Sequence, residues 1–293
     1  MLKETKYTDQ IRFTDDFVFY SVMSRNKDIC KKIVELCIDK KVRDIRYLSG
    51  QETEKISPSG KGIRMDVYLE DADQTLYNVE MQTSKSAFLG KRTRYYDSVM
   101  SIHTLQSGQS YQALPDTYVI FLCTFDPFGE HRALYRFSSR EESNPGLSLD
   151  DGSYKVFLNA YGDENGCPKA LQELMAAIRG ETVSGDGLDR KIADAVDSLA
   201  VDAQWRYDYM LYEINLSESR EAGLAEGREE GRLEGKRKTI LEDVCKISRN
   251  MSMSYEEAMD VLDLADSERI WLRAELSAAG NHTDDAGAVD CSE

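Results

Sequence analysis

Residues 62–83, GIRMDVYLEDADQTLYNVEMQT, hold two alternating segments, IRMDVYLED and TLYNVEMQT, joined by a short Ala72-Asp73-Gln74 connection. The pattern predicts a β-hairpin. Successive side chains on a strand point to opposite faces, so parity sorts the residues directly. Ile63, Met65, Val67 and Leu69, with Tyr77, Val79 and Met81, make a wholly apolar face, and Arg64, Asp66, Tyr68, Glu70, Asn78, Glu80 and Gln82 make a polar one. With the turn centred on Asp73, Asp66 lies across from Glu80 and Arg64 across from Gln82. Facing side chains on antiparallel strands have Cβ atoms about 4.5 to 5.5 Å apart, and like charges there are destabilising. A slip of one residue would remove the pairing but would split the apolar set between faces. Two carboxylates in contact need an offset. A divalent cation supplies one, because Mg²⁺ is typically held by one or two carboxylates with waters and a substrate phosphate. A solvated face whose acids are partnered by Arg64 and nearby lysines supplies another.

The flanking sequence predicts an α/β arrangement with a mixed sheet. Upstream, Thr14 suits the N-cap of a helix from Asp15 to about Ser24, with two acids at its positive end. Asn26 suits the cap of a second helix, in which Ile29, Cys30, Ile33, Cys37 and Ile38 recur at helical spacing. The loop GQETEKISPSGKG leads from there into the hairpin. Downstream, SAFLGKRTRYYDSVMSIHTLQSG reads as a helix closed by Gly108. TYVIFLCTF, bounded by Pro115 and Pro127, reads as a strand buried on both faces, and ALYRFSS and YKVFLNA as weaker strands. All five prolines precede residue 169, and the rest of the chain reads as helix almost throughout. Within it, Gly223, Gly227, Gly231 and Gly235 recur every four residues among charged residues. That segment is either a helix whose glycine stripe admits another helix or a solvated low-complexity linker.

Composition narrows the function classes. The 293 residues include 41% hydrophobic and 9% aromatic residues, too many for a disordered acidic chain. No apolar run is long enough to span a bilayer and no leader-like segment opens the chain, so the expected location is the cytoplasm with no membrane partner. Cys30, Cys37, Cys123, Cys167, Cys245 and Cys291 form no CxxC pair and are expected to be reduced thiols. His103, His131 and His282 form no HxH or HExxH group. No Walker or dinucleotide-binding glycine motif is present, so no nucleotide cofactor is expected. The net charge of −16 argues against nucleic acid, because Lys and Arg supply most non-specific affinity for phosphate. However, residues 1–140 hold 21 Lys and Arg against 19 Asp and Glu, so the acidity belongs to the C-terminal half.

Asp66 followed fourteen residues later by Glu80-Met81-Gln82 resembles the D…(E/D)xK signature of the PD-(D/E)XK nuclease superfamily. More specifically, FTDDFVFYSVM, GIRMDVYLED, YNVEMQTS, KRTRYYDSVM and YVIFLCTFDPF resemble the PD-(D/E)XK nuclease family transposases, the recombination-promoting nuclease-like family of bacteria, over roughly residues 10–165. The glycine-glutamate helix and the short helical pair after it resemble the usual C-terminus of such proteins. The resemblance implies a restriction-endonuclease-like mixed sheet flanked by helices, with a mostly helical C-terminal region. It implies a nuclease domain over 1–168, a helical extension over 169–220, a Gly/Glu-rich charged helix or linker over 221–238, a small helical region over 239–279 and a disordered tail over 280–293. The implied function is a Mg²⁺-dependent DNA endonuclease, with Mn²⁺ as the other candidate ion, tied to transposition or recombination of mobile elements. Asp66 and Glu80 would hold the metal, and Gln82 would position the attacking water.

Asp15 or Asp16 would complete the site if the first helix supplies an acid, although both suit helix capping. Lys91, Arg92, Arg94 and Tyr95 would hold the DNA backbone, near Lys85 and Tyr96. Met65 stands in place of the signature proline, and Gln82 in place of lysine, as is usual in this branch. An amide orients water but supplies neither positive charge nor a proton shuttle. The alternative function is a non-catalytic oligomeric interaction protein retaining the fold. In either case a homo-oligomer through the C-terminal helices is expected.

Overall fold

The computed structural model describes residues 11–49, 53–54, 63–102, 104–105, 107–181 and 185–280. Most of the loop before the hairpin, His103, His282, Cys291 and all but the first residue of the expected tail lie outside them. Two compact units are present, Met1–Tyr212 and Glu213–Glu293.

The first unit is built on a six-stranded sheet in the order β1-β4-β5-β6-β8-β7, formed by β1 (Ile45–Ser49), β4 (Val67–Asp71), β5 (Leu76–Gln82), β6 (Thr117–Cys123), β7 (Leu134–Phe137) and β8 (Ser153–Asn159). β1 and β4 pair antiparallel, as do β4 and β5, and β7 and β8, whereas β5, β6 and β8 run parallel. The parallel β5–β6 step needs a crossover, supplied by α3 (Leu89–Ile102). β2 (Thr53–Glu54) and β3 (Ile63–Arg64) form a separate two-stranded piece.

One sheet face, carrying Val67, Val79, Met81, Ile120, Leu122 and Leu158, packs under α1 (Asp16–Arg25), α2 (Lys27–Ile38), α4 (Lys169–Arg179) and α5 (Leu188–Val201). The other face packs under α3, where Leu89, Tyr96, Val99 and Met100 meet Val119, Phe121 and Phe157. Every residue of β6 is buried, as its apolar run between two prolines implied. Every residue of β5 is buried as well, so the polar face of the hairpin is covered on this strand and the solvated reading fails there.

The hairpin register agrees with the sequence reading from Val67↔Val79 to Leu69↔Tyr77. It departs from it before Asp66. Arg64 pairs with Thr53 and does not face Gln82. Met65 is buried with Leu89, Tyr96 and Phe121, on the face opposite Val67. In an unbroken strand residues 65 and 67 would share a face, so the chain bends at Asp66 and the strand starts at Val67.

Helix ends differ by small steps. Asp15, not Thr14, occupies the N-cap position of α1, and Asn26 occupies that of α2 as expected, although its side-chain amide donates back to Val22 O at 2.9 Å and so closes α1 instead of reaching an α2 N–H. α3 ends at Ile102, before the left-handed Gly108 (φ +89°). α6 (Ala203–Met251) is one helix of 49 residues, and the four-residue glycine repeat lies inside it. In the second unit its last turns pack on α7 (Tyr255–Val261) and α8 (Asp266–Gly280) through Val244, Ala258, Met259 and Leu272. No described helix is long and apolar enough to cross a membrane. Of the described cysteines, Cys30, Cys37, Cys123 and Cys245 are buried, all five being free thiols.

Candidate active site

The expected site residues converge where β4 begins and β5 ends. The backbone N–H of Asp66 donates to Glu80 Oε1 (3.1 Å), and Asp66 Oδ2 accepts from the backbone N–H of Met81 (3.2 Å). The Asp66 carboxylate thus takes a backbone donor of β5 where β4 has not yet started. This is the local reason for the bend: a side chain closes the end of the ladder. Asp66 and Glu80 meet, but through the Asp66 backbone N–H and not as facing residues of the ladder, which starts at Val67↔Val79.

Glu80 is 1% exposed. Its Oε1 accepts from Asp66 N and from Asn78 Nδ2 (3.1 Å), and its Oε2 accepts from Arg92 Nη2 (2.8 Å) and Tyr96 Oη (3.4 Å). Asn78, two residues earlier on the same strand face, is fully buried, and its Oδ1 has no partner. Turning the amide over would set that oxygen against Glu80. The fold keeps one orphaned acceptor, a cost of about 1 to 3 kcal/mol, and aims the N–H₂ at the carboxylate.

Arg92 comes from the first turns of α3 and reaches back over the sheet. Its Nη1 donates to Gln82 Oε1 (2.8 Å), and its Nε and Nη2 donate to Tyr96 Oη (3.0 and 2.7 Å). The guanidinium lies 5.1 Å from the Tyr96 ring centroid and 5.3 Å from that of Phe121. Arg92 and Tyr96 are four apart on one helix face, which is why both reach the same spot. Burial pushes the Glu80 carboxyl up from its ordinary range, although Arg92 and the other donors pull it down. Burial also opposes the Arg92 charge, yet Glu80 and Tyr96 hold its pKa above the ordinary value. The two directions agree with the geometry, because the Arg92 side chain is 39% exposed and Glu80 is sealed.

Gln82 is committed at both ends. Its Nε2 donates to Ser84 O (2.6 Å) and contacts Ser84 Oγ, while its Oε1 accepts from Arg92. One lone pair on that oxygen is left for water. Of the other basic and aromatic candidates, Lys91 and Arg94 are exposed on α3 and Tyr95 is half-buried. The Asp15 carboxylate accepts from Arg12 N (3.0 Å) beside the helix start. Sequence reading missed the part played by Asn78 and Tyr96. The signals were there: Asn78 shares Glu80's strand parity, and Tyr96 follows Arg92 at helical spacing.

Among the described residues no three of His, Cys, Asp and Glu converge on one point. The donor set at this site is two carboxylates, both hard oxygen ligands, which fits Mg²⁺ bound with waters and substrate oxygens.

A parallel β5-β6-β8 core, extended by the β1-β4 antiparallel edge and sandwiched between helices, is the restriction-endonuclease-like α/β fold. Residues 13–143, from just before α1 through β7, match the family model described as PD-(D/E)XK nuclease family transposase. Comparison with curated proteins and with solved structures gives no match.

Proposed function

We propose that the protein is a divalent-metal-dependent DNA endonuclease, associated with transposition or recombination of mobile elements, in which Asp66 and Glu80 hold the metal. The observation that carries the reading is that Asp66 and Glu80 meet at the end of the hairpin, the Asp66 N–H on the Glu80 carboxylate and the Asp66 carboxylate on the next residue of β5, inside the stretch that matches a nuclease family. A bound Mg²⁺ supplies Lewis-acid polarisation of a phosphate oxygen and acidification of a bound water. The chain's own residues do the rest. Asp66, partly exposed at the strand start, offers its carboxylate from the solvent side, and Glu80 offers its own from within. Asn78 and the Asp66 N–H orient Glu80 from below. Gln82 holds Arg92 and keeps a lone pair toward the attacking water. Arg92 provides the positive charge that the amide of Gln82 lacks, near the developing charge on the phosphate. Lys91, Arg94 and Tyr95 on the same helix would hold the neighbouring phosphates.

The test is cleavage of supercoiled plasmid by the full chain with Mg²⁺, Mn²⁺ or EDTA, beside Asp66→Ala and Glu80→Ala. Nicking that needs metal and falls at least about a hundredfold in both variants supports the reading. Equal cleavage by all three proteins overturns it.

Assembly through the C-terminal helices belongs to the same proposal. Residues 213–239 of α6 are exposed along their whole length, and a Cβ built on Gly223, Gly227, Gly231 or Gly235 meets nothing within 4 Å. Light scattering on the intact chain and on a chain lacking 221–238 checks it: the expected result is an oligomer that dissociates on deletion. The same oligomer in a protein that binds no divalent ion in calorimetry would favour the non-catalytic interaction reading.

A further inference from the structure

We infer that Arg92 is the resident cation of the site, and that a divalent ion engages Glu80 by displacing Arg92 Nη2 from Oε2. The inference rests on the proposed metal site and deepens it. A carboxylate offers about four lone-pair positions. On Glu80 all of them face donors: Asp66 N and Asn78 Nδ2 on Oε1, Arg92 Nη2 and Tyr96 Oη on Oε2. An ion can coordinate Glu80 only where a donor yields. The two on Oε1 are held by structure, one being backbone and the other a fully buried side chain whose alternative orientation is repulsive. The two on Oε2 come from side chains of one helix, and the charged one repels an approaching cation.

Arg92 is also the donor able to leave at low cost. Its side chain is 39% exposed, and its guanidinium rests against the Tyr96 and Phe121 rings, a surface on which a planar cation can shift and stay stacked. Its Nη1 bond to Gln82 and its Nε bond to Tyr96 leave it tethered when Nη2 is released. The freed Nη2 is then a donor for a phosphate oxygen. Glu80 keeps a cationic partner through the exchange, the site gains the two positive charges of the ion while Arg92 stays tethered beside it, and the arginine is presented to substrate only after the site has taken an ion.

The experiment measures metal binding and not cleavage. Mn²⁺ and Ca²⁺ are titrated calorimetrically into the full-length wild type, Arg92→Met and Arg92→Lys, with Asp66→Ala as the control for the site, and melting is followed with and without ion. With the competitor gone, Arg92→Met should bind about tenfold more tightly than wild type, the worth of one charged hydrogen bond. It should melt below wild type in EDTA and recover most of the difference when ion is added, because the ion replaces the missing cation. Arg92→Lys, whose point charge cannot span Glu80, Gln82 and Tyr96 together, should fall between the two and keeps the test valid if the Met variant does not fold. Equal or weaker binding in both variants, with wild-type binding intact and lost in Asp66→Ala, overturns the displacement and leaves the metal site standing. No binding in any protein overturns both.

Discussion

Glu80 and Arg92 form an asymmetric pair, and the asymmetry has measurable consequences. Removing Arg92 leaves a sealed carboxylate without its cation, whereas removing the Glu80 charge leaves a guanidinium that can turn to water. Breaking a fully buried pair costs about 3 to 5 kcal/mol, and solvent at the 39% exposed Arg92 side chain reduces this to about 2 to 3. Glu80→Gln, which keeps an acceptor for Asp66 N, should cost about 1 kcal/mol. Urea unfolding of the two variants checks the order. Burial raises the Glu80 pKa above its ordinary value of 4.5. The native state therefore holds this proton more tightly than the unfolded chain, and the Glu80 contribution to stability falls as pH rises from 4.5 through the raised folded value, then stays level. The stability difference between wild type and Glu80→Gln should shrink over that window. A constant difference would mean that Glu80 does not titrate there.

At the scale of elements, two acidic residues tie down the pieces that frame the site. Asp97 on α3 accepts from Thr117 Oγ1 at the start of β6 and from Ser153 Oγ and Lys155 Nζ (3.1 Å) on β8. These contacts fix the helix that carries Arg92 to the strand ends opposite the site. Asp97→Ala leaves Lys155, 21% exposed, without its carboxylate and with the Ser153 hydroxyl as its remaining neighbour, and should cost about 2 kcal/mol. Any loss of plasmid nicking in this variant should be restored by lowering the temperature, a distinction not expected of Asp66→Ala. Asp126, just past β6, accepts from the backbone N–H groups of Phe128 (3.1 Å), Gly129 (2.9 Å) and His131 (2.8 Å) and from Tyr135 Oη (2.8 Å). Burial would raise its carboxyl, but Tyr135 and these donors outweigh it and hold it below the ordinary 3.8. Its contribution is complete above 3.8 and is lost as pH falls through the lower folded value. Asp126→Asn should cost about 1 to 2 kcal/mol at pH 7 and nothing once the wild-type carboxyl is protonated, as thermal melts across the acid range would show.

Across the whole molecule, the long α6 is held by different means along its length. Trp205 is buried and donates to Ser21 Oγ at 2.8 Å, and Phe17 meets Tyr209 and Tyr212, so its first turns belong to the nuclease-fold core. Its last turns belong to the small core around Val244 and Met259. Between them an exposed helix carries four glycines, each costing about 1 kcal/mol relative to alanine. Since no atom stands within 4 Å of the added methyl groups, replacing all four by alanine should raise helicity by circular dichroism and stabilise that stretch by about 3 to 4 kcal/mol. A loss of helicity would point to a close helix partner at the stripe.

Much of this was legible from residue order alone. Hairpin parity and the apolar content of the strands determined the register from Val67 to Tyr77, and with it the nearness of Asp66 to the end of β5, because a one-residue slip would have exposed an entire apolar set. The double burial of β6 followed from TYVIFLC between two prolines for the same reason. Three things waited for the tertiary structure. The bend at Asp66 depends on its carboxylate finding the Met81 N–H, an exchange of side-chain for backbone bonding that strand alternation does not encode. The burial of the polar face of β5 depends on α3 lying across it, and amphipathic periodicity shows that a helix has a face without showing what it covers. The capture of Glu80 by Arg92 depends on that same crossover, which sets residues distant in sequence against each other at hydrogen-bond range. Local patterns determined which elements form and which way they face; only the packing of one element over another decided which charge neutralises which.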